Sequence, residues 1–310
     1  MLSKVLIILH GCTTSVALIA NRHKFTSSYK SKNIILQLAP QQLGQFEPIE
    51  LISNDNSRRV WLHDFVSNED NKHIPYEEGW DLQKQLVEQQ LTRIGKRPKD
   101  PPLYDQFVPN ILNDDISYEG CDSIIMLQHD PVYTLGTASD PAFINGYNED
   151  DGDSDNNIPI VRIERGGEVT YHGPGQLTVY PILDLRGYKQ DIHWYMRALE
   201  EVILLALEKA GVKGATREEN LTGVWVSDKK IAAIGIKARR WVTMHGLAIN
   251  VDIRSLQNFQ GIVPCGLEGR AVTCINDEAQ EDELTIETFV IHVREALEEI
   301  FGISLVSASQ

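Results

Sequence analysis

Apolar positions recur with two different periods along this chain, and the switches between them mark its elements. In "EEGWDLQKQLVEQQLTRI", Trp80, Leu82, Leu86, Leu91 and Ile94 fall near helical spacing and predict an amphipathic helix, ended by the prolines of "KRPKDPPLYD". "SIIMLQHDPVYTLG", residues 123–136, predicts a buried strand and then a turn through Pro131. "QLTVYPILDL" alternates as a strand. Residues 191–210 predict a long helix, with Asp191 able to cap its start and Gly211 its end. "GVWVSDKKIAAIGIKARR" predicts a hairpin turning at "SDK", and "VTMHGLAINVD" a further strand. "TIETFVIHVREALEEIFG" predicts a C-terminal helix capped by Thr285 and stopped by Gly302. There is no internal repeat. Strands and helices mix without regular βαβ alternation, which points to an α+β fold around a mixed or antiparallel sheet.

The N-terminus departs from this pattern. Lys4 precedes the apolar run "VLIILHGCTTSVALIA", and Arg22, Lys24, Lys30 and Lys32 follow among serines and threonines. No acidic residue occurs before Glu47. The run is broken by polar residues and is too short for a membrane span, so no stable membrane anchor is expected. An apolar stretch followed by an acid-poor basic one predicts a targeting segment over residues 1–46, removed in the mature protein. A plastid reached through the secretory route fits both halves, and a mitochondrion is the rival. Residues 47–58 read as a linker, and 59–310 as the functional domain.

The chain has 310 residues and a net charge of −15. That balance excludes a general nucleic-acid binder, which needs clustered Lys and Arg. The four cysteines, Cys12, Cys121, Cys265 and Cys274, fit neither a zinc ribbon nor a redox pair. No metal and no cofactor are expected. The acidic stretch 144–159 predicts a surface insertion, because its aspartates miss calcium-loop spacing.

Three stretches carry candidate chemistry. "RGGEVTYHGPGQ", residues 165–176, has four glycines that allow close backbone approach. It is either a pocket wall or a pair of tight turns. Within it, Arg165 can pair with an acidic carrier group, and His172 can donate to a carbonyl or oxyanion. In "KKIAAIGIKARR", strand parity puts Lys230 at the head of an apolar row with Ala232, Ile234, Ile236 and Ala238, while Lys229 lies nearer the turn. Lys230 is a desolvated general base, or it snorkels with its ammonium in water. In "GIVPCGLEGRAVTCIND", Cys265 sits between Pro264 and Gly266 in a loop, where a thiol is accessible for attack. Cys274, beside Val272 and Ile275 in a strand-like run, fits a structural thiol, as does Cys121.

These stretches in this order resemble the lipoyl(octanoyl) transferases, and "HDPVYTLG" is similar to that family's early strand and turn. The resemblance runs from about Arg59 to the C-terminus, with insertions near 95–120 and 140–158. It implies the fold of biotin and lipoate protein ligases, with a central, largely antiparallel mixed sheet flanked by helices. It implies octanoyl transfer from acyl carrier protein to a lysine of lipoyl domains of 2-oxoacid dehydrogenase or glycine cleavage proteins. Independently of the resemblance, a monomer is the default expectation. The resemblance places the nucleophile on Cys265 and its paired lysine on Lys230. Substrate-binding positions fall on Arg165, Gly166, Gly167, Tyr171, His172, Gly173, Gly175, Gly235, His245 and Gly246. Alternatives are an ATP-dependent lipoate or biotin ligase, a non-catalytic acyl-carrier binder, and a cysteine hydrolase.

Overall fold

A computed structural model describes residues 4–11, 14–21, 58–67, 73–94, 122–137, 139–145, 158–218, 221–262, 271–279 and 284–308. The chain divides into two units, Met1–Glu47 and Pro48–Gln310. In the first, β1 (Lys4–Gly11) and β2 (Thr14–Asn21) pair antiparallel, from Lys4 opposite Asn21 to Gly11 opposite Thr14. These strands take up the apolar run of the N-terminal segment.

The second unit is built on one eight-stranded sheet. Its strands are β3 (Arg58–Asp64), β4 (Ser123–Leu127), β8 (Gln176–Ile182), β9 (Ala215–Thr216), β10 (Val224–Val226), β11 (Lys229–Arg239), β12 (Val242–Asn250) and β13 (Ile303–Ser307). Their spatial order is β13-β3-β4-β8-β12-β11-β10-β9. The β13–β3 and β3–β4 pairs are parallel and the rest antiparallel. The sheet is thus mixed and largely antiparallel, as expected. β3 begins at Arg58, the last position of the expected linker. A smaller sheet has β5 (Val132–Leu135) between β6 (Ile160–Arg162) and β7 (Thr170–His172).

All residues of β4, β8 and β12 are buried, so both sheet faces are covered. On one face, α1 (Tyr76–Arg93) sets Leu86, Val87 and Leu91 against Ile125, Leu127, Tyr180, Ile182, Val242 and Met244. Alternation sends the intervening residues to the other face, which α2 (Ile192–Lys209) and α4 (Ile286–Phe301) cover. Asp191 caps α2 through the backbone N–H groups of His193 and Trp194. Thr285 caps α4, and Gly302, at φ 60°, ends it in the left-handed region. The chain then returns as β13, an edge strand that the sequence pattern does not announce.

Cys274 is buried but is not in a strand. It is the N-cap residue of the short helix α3 (Ile275–Glu278). Its thiol is pushed up to about 11, chiefly by burial, which suits an inert packing residue. Residues 95–121, 146–157 and 263–270 fall outside the described set. With them go both expected insertions for the most part, Cys121 and Cys265.

Candidate active site

One pocket of about 60 Å³ opens where the first half of the glycine-rich motif meets β11 and β12. Arg165, Gly167, His172, Lys230, Gly235, His245 and Gly246 all line it, so the structure brings most of the expected site residues together.

The motif divides at His172. Residues 165–172 build the wall. The Gly166 N–H donates to the Ile236 carbonyl (3.0 Å), tying the loop to β11. Gly167 has φ 87°, a conformation that favours glycine. A Cβ on Gly235 would lie 2.8 Å from Arg165 Cδ and 3.2 Å from the Gly166 carbonyl oxygen, so a side chain there would push the loop off the strand. The second half turns the chain into β8. Gly173 packs on the Tyr171 hydroxyl, and the Gly175 carbonyl accepts from Val251 and Asp252. Tyr171 stacks edge-on with Tyr133 and Phe259 in a separate core cluster. Gly166, Tyr171, Gly173 and Gly175 therefore shape or brace the wall and do not line the pocket.

Arg165 does not reach outward for a carrier group. It is buried, and its guanidinium donates to the Thr134 carbonyl (2.8 Å), Thr134 Oγ1 (2.9 Å) and the Gly166 carbonyl (3.0 Å). It holds the motif to β5.

The two lysines at the hairpin separate as expected. Lys229 pairs with Glu278 at the surface (2.7 Å). Lys230 lines the pocket, with Nζ 5.2 Å from the Trp225 ring centroid. The expected single buried row does not form. Neighbouring Ile231 and Ala232 are both buried, Ala238 is exposed, and Ala233 and Gly235 reach the pocket beside Lys230 and Ile234. A register shift between Val224 and Trp225 and cover on both faces override simple alternation.

Two pocket histidines are neutral. Burial brings His172 down to about 3, with His129, Arg165 and His245 adding to the shift. Burial likewise brings His245 down to about 3, helped by Arg165 and Lys237. His172 Nδ1 lies 2.8 Å from Gln176 Oε1, so its N–H is already used there. That removes the expected role as an oxyanion donor. His245 is different. Its backbone has φ 60°, in the left-handed region, although it sits inside β12 opposite Ile236. Its N–H donates to Oε1 of Gln83 on α1 (2.8 Å). Its ring is 2% exposed, and neither ring nitrogen has a hydrogen-bond partner. A buried polar ring without partners, set in a pocket wall by a strained backbone, is placed to meet a ligand.

Among the described residues no group of three His, Cys, Asp or Glu could hold a metal ion. The arrangement instead offers an amine, a neutral imidazole and an apolar floor, the parts of an acyl-transfer site that needs a nucleophile from a nearby segment. Residues 103–298 match the Lipoyl protein ligase A/B catalytic domain. The chain belongs to this family. It is 47% identical over 194 residues to an octanoyltransferase of Gloeobacter violaceus, covering 63% of this chain and 72% of that protein. It is 42% identical over 212 residues to the chloroplastic octanoyltransferase LIP2p2 of Arabidopsis thaliana, covering 68% and 66%. An archaeal bi-partite lipoate protein ligase from Thermoplasma acidophilum superposes with TM-score 0.51 at 15% identity, over 82% of this chain and 88% of that one. That likeness shows the fold. The sequence similarity makes this chain an acyltransferase of the octanoyltransferase type, acting in protein lipoylation.

Several residues of this octanoyltransferase site carry little sequence signal. Tyr76 and Tyr180 line the pocket from α1 and β8. Tyr180 donates to His129 Nε2 (2.7 Å), while His129 Nδ1 donates to the Ile74 carbonyl (2.8 Å). Gln83 and Asn250 look like any polar residue of a helix or strand. Gln176 was legible in principle, as a polar residue closing the motif just where a buried strand begins.

Proposed function

We propose that this chain moves an octanoyl group from acyl carrier protein to a lysine of a lipoyl domain through a thioester on Cys265, with Lys230 as base. Lys230 takes the thiol proton, the Cys265 thiolate attacks the carrier thioester, and the carrier leaves as its thiol by recovering that proton. The lysine amine of the lipoyl domain then attacks the enzyme thioester. An amide forms, the Cys265 thiolate departs, and Lys230 receives the amine proton. Neutral His245, with an unpartnered ring N–H, donates to the acyl oxygen as negative charge grows on it. The apolar floor takes the inner part of the alkyl chain, each buried methylene stabilising binding by about 0.8 kcal/mol.

The observation that carries this reading is the way the Cys265 segment rejoins the fold. The Lys230 N–H donates to the Ala271 carbonyl (2.9 Å), and the Thr273 N–H donates to the Lys230 carbonyl (3.0 Å). Cys265 lies six residues before Ala271, a tether of at most about 20 Å. The segment is thus anchored on the backbone of the proposed base. Plastid targeting is also part of the proposal, from the composition of residues 1–46 and the chloroplastic relative; a mitochondrial address is the rival.

A lipoate-protein ligase A bound with ATP superposes with TM-score 0.50 at 14% identity, so the fold also serves adenylating enzymes. Mixing the chain with octanoyl-acyl carrier protein and a lipoyl domain, without ATP, separates the two chemistries. Octanoylated lipoyl domain is expected. Modification only with ATP and free octanoate would move the chain to the ligases.

A further inference from the structure

We propose that Gln176 and Asn250 are positioning residues: a two-amide relay that locks the His172 proton on Nδ1. The relay thereby presents the bare Nε2 to the pocket as an acceptor for an N–H of the incoming amine. Two backbone carbonyls, which can only accept, fix the direction of every bond. At one end, Asn250 Nδ2 donates to the Thr273 carbonyl (3.0 Å), so Asn250 Oδ1 points the other way. Gln176 Nε2 donates to that Oδ1 (3.0 Å) and to the Tyr171 carbonyl (3.2 Å). Both amide hydrogens of Gln176 are then used, and its Oε1 must accept. Among the described residues the group bonded to that oxygen is His172 Nδ1 at 2.8 Å, so that nitrogen carries the hydrogen. Flipping either amide would set oxygen against oxygen at a carbonyl. All five residues of this network are buried, which makes such a mismatch costly.

A neutral imidazole has one donor and one acceptor, so Nε2 is left with its lone pair. The surroundings keep it bare. The Tyr76 ring stacks on His172 at 6.0 Å and 15°, and the His129 ring meets it edge-on at 5.9 Å. Arg165 and His245 both disfavour a charged ring there, and burial brings it down to about 3. Lys230 and Tyr180 line the same pocket, and no carboxylate among the described lining residues but Glu168 accompanies them. An acceptor at Nε2 orients an amine by one of its N–H bonds while the base takes another hydrogen. His172 forms a hydrogen bond and removes no proton. The far end of the relay is the Thr273 peptide, whose N–H is bound to the Lys230 carbonyl. The orientation of His172 is thereby tied to the strand that carries Lys230.

The use of Nε2 by the amine rests on the proposed function; the tautomer does not. It is read directly by ¹⁵N–¹H correlation NMR of the histidine side chains in the wild-type protein without substrate, with His172 assigned by loss of its signals in His172→Gln. A protonated Nδ1 and a bare Nε2 between pH 6 and 8 are expected. A proton on Nε2 would overturn the relay whatever the transfer assay gives, whereas ATP-dependent transfer with the expected tautomer would sink only the functional reading. Gln176→Glu tests the consequence. Its carboxylate still accepts from Nδ1 but favours the imidazolium, which closes the acceptor at Nε2. Its second oxygen now meets Asn250 Oδ1 and the Tyr171 carbonyl, so the unfolding midpoint is measured first, and the wild-type tautomer carries the test if the variant does not fold. Below that imidazolium's pKa, transfer should fall about tenfold more per pH unit than it does in wild type. A loss equal at every pH would reject the positioning role.

Discussion

The two walls of the pocket each hold one neutral histidine, and they hold them in opposite ways. On the β7–β8 wall, His172 is wired through Gln176 and Asn250 to a backbone carbonyl, with one ring nitrogen left open. On the β12 wall, His245 has no side-chain partner, and its backbone stands at φ 60° inside a strand. On the first wall the amides of Gln176 and Asn250 satisfy one another, though Thr178 Oγ1 on β8 and Glu168 Oε2 have no hydrogen-bond partner. The second leaves two buried nitrogens unmet and keeps a non-glycine residue in a costly conformation, about 1–3 kcal/mol by the usual scale. One histidine is thus oriented by a chain of hydrogen bonds and the other by a strained backbone alone, so loss of each should be read out differently.

The largest test falls between the walls, at Lys230. Lys230→Ala should cut transfer by about 10²–10⁴-fold, the range for a lost general base, with an unchanged unfolding midpoint. Transfer at the wild-type rate would reject Lys230 as base. The next effect sharpens the contrast itself. His245→Leu should lower kcat about 10²–10³-fold, as for a lost oxyanion donor, with little or no loss of stability, because no partner is stranded. Asn250→Ala should cost stability as well as the positioning of His172. It strands the Thr273 carbonyl and Gln176 Nε2, so about 1–3 kcal/mol of stability should go for each group left unpaired in chemical denaturation. If His245→Leu unfolds the protein and Asn250→Ala does not, the division between the walls is wrong.

Acid brings both walls together. Burial takes His172 and His245 from 6.5 to about 3, so the unfolded chain binds more protons between those values. The stability contributed by the neutral rings is whole above pH 6.5 and is lost as pH falls toward 3. Each should account for about 2 kcal/mol between pH 6.5 and 5. A denaturation series across that range should show the decline, and His245→Leu should remove its own share of it while that of His172 remains. The smallest effect belongs to the surface patch. Lys237 pairs with Glu164 (3.5 Å) and Arg239 with Glu88, so both cations at the end of β11 are partly neutralised within the chain. Alanine at Arg239 and Arg240 should change stability by less than about 0.5 kcal/mol, measured by denaturation.

The sequence carried the fold's main elements because periodicity and caps are local. The helices with their Asp191 and Thr285 caps, and the β10–β11 hairpin, need only neighbouring residues to specify them. β13 was not legible, since a short edge strand after a helix pairs with β3 from the far end of the unit. Parity failed in β11 because cover on both faces and a bulge are tertiary facts. Arg165 and His172 were found as chemistry-bearing residues, but their roles were not. The donors of Arg165 are used on Thr134, and the N–H of His172 on Gln176. Those partners are residues that only the folded chain brings close. Lys230 was separable from Lys229 by parity at the turn, and Glu278, which holds Lys229, is distant in sequence.

The central claim is that the octanoyl group rests on Cys265 on its way to the lipoyl domain. Intact-protein mass spectrometry after mixing the chain with octanoyl-acyl carrier protein, in the absence of ATP and acceptor, tests it most directly. The account predicts a mass gain of one octanoyl group, mapped by proteolysis to Cys265, discharged on adding a lipoyl domain, and absent in Cys265→Ala. Wild-type rates of transfer by Cys265→Ala, or an adduct on another residue, would contradict it.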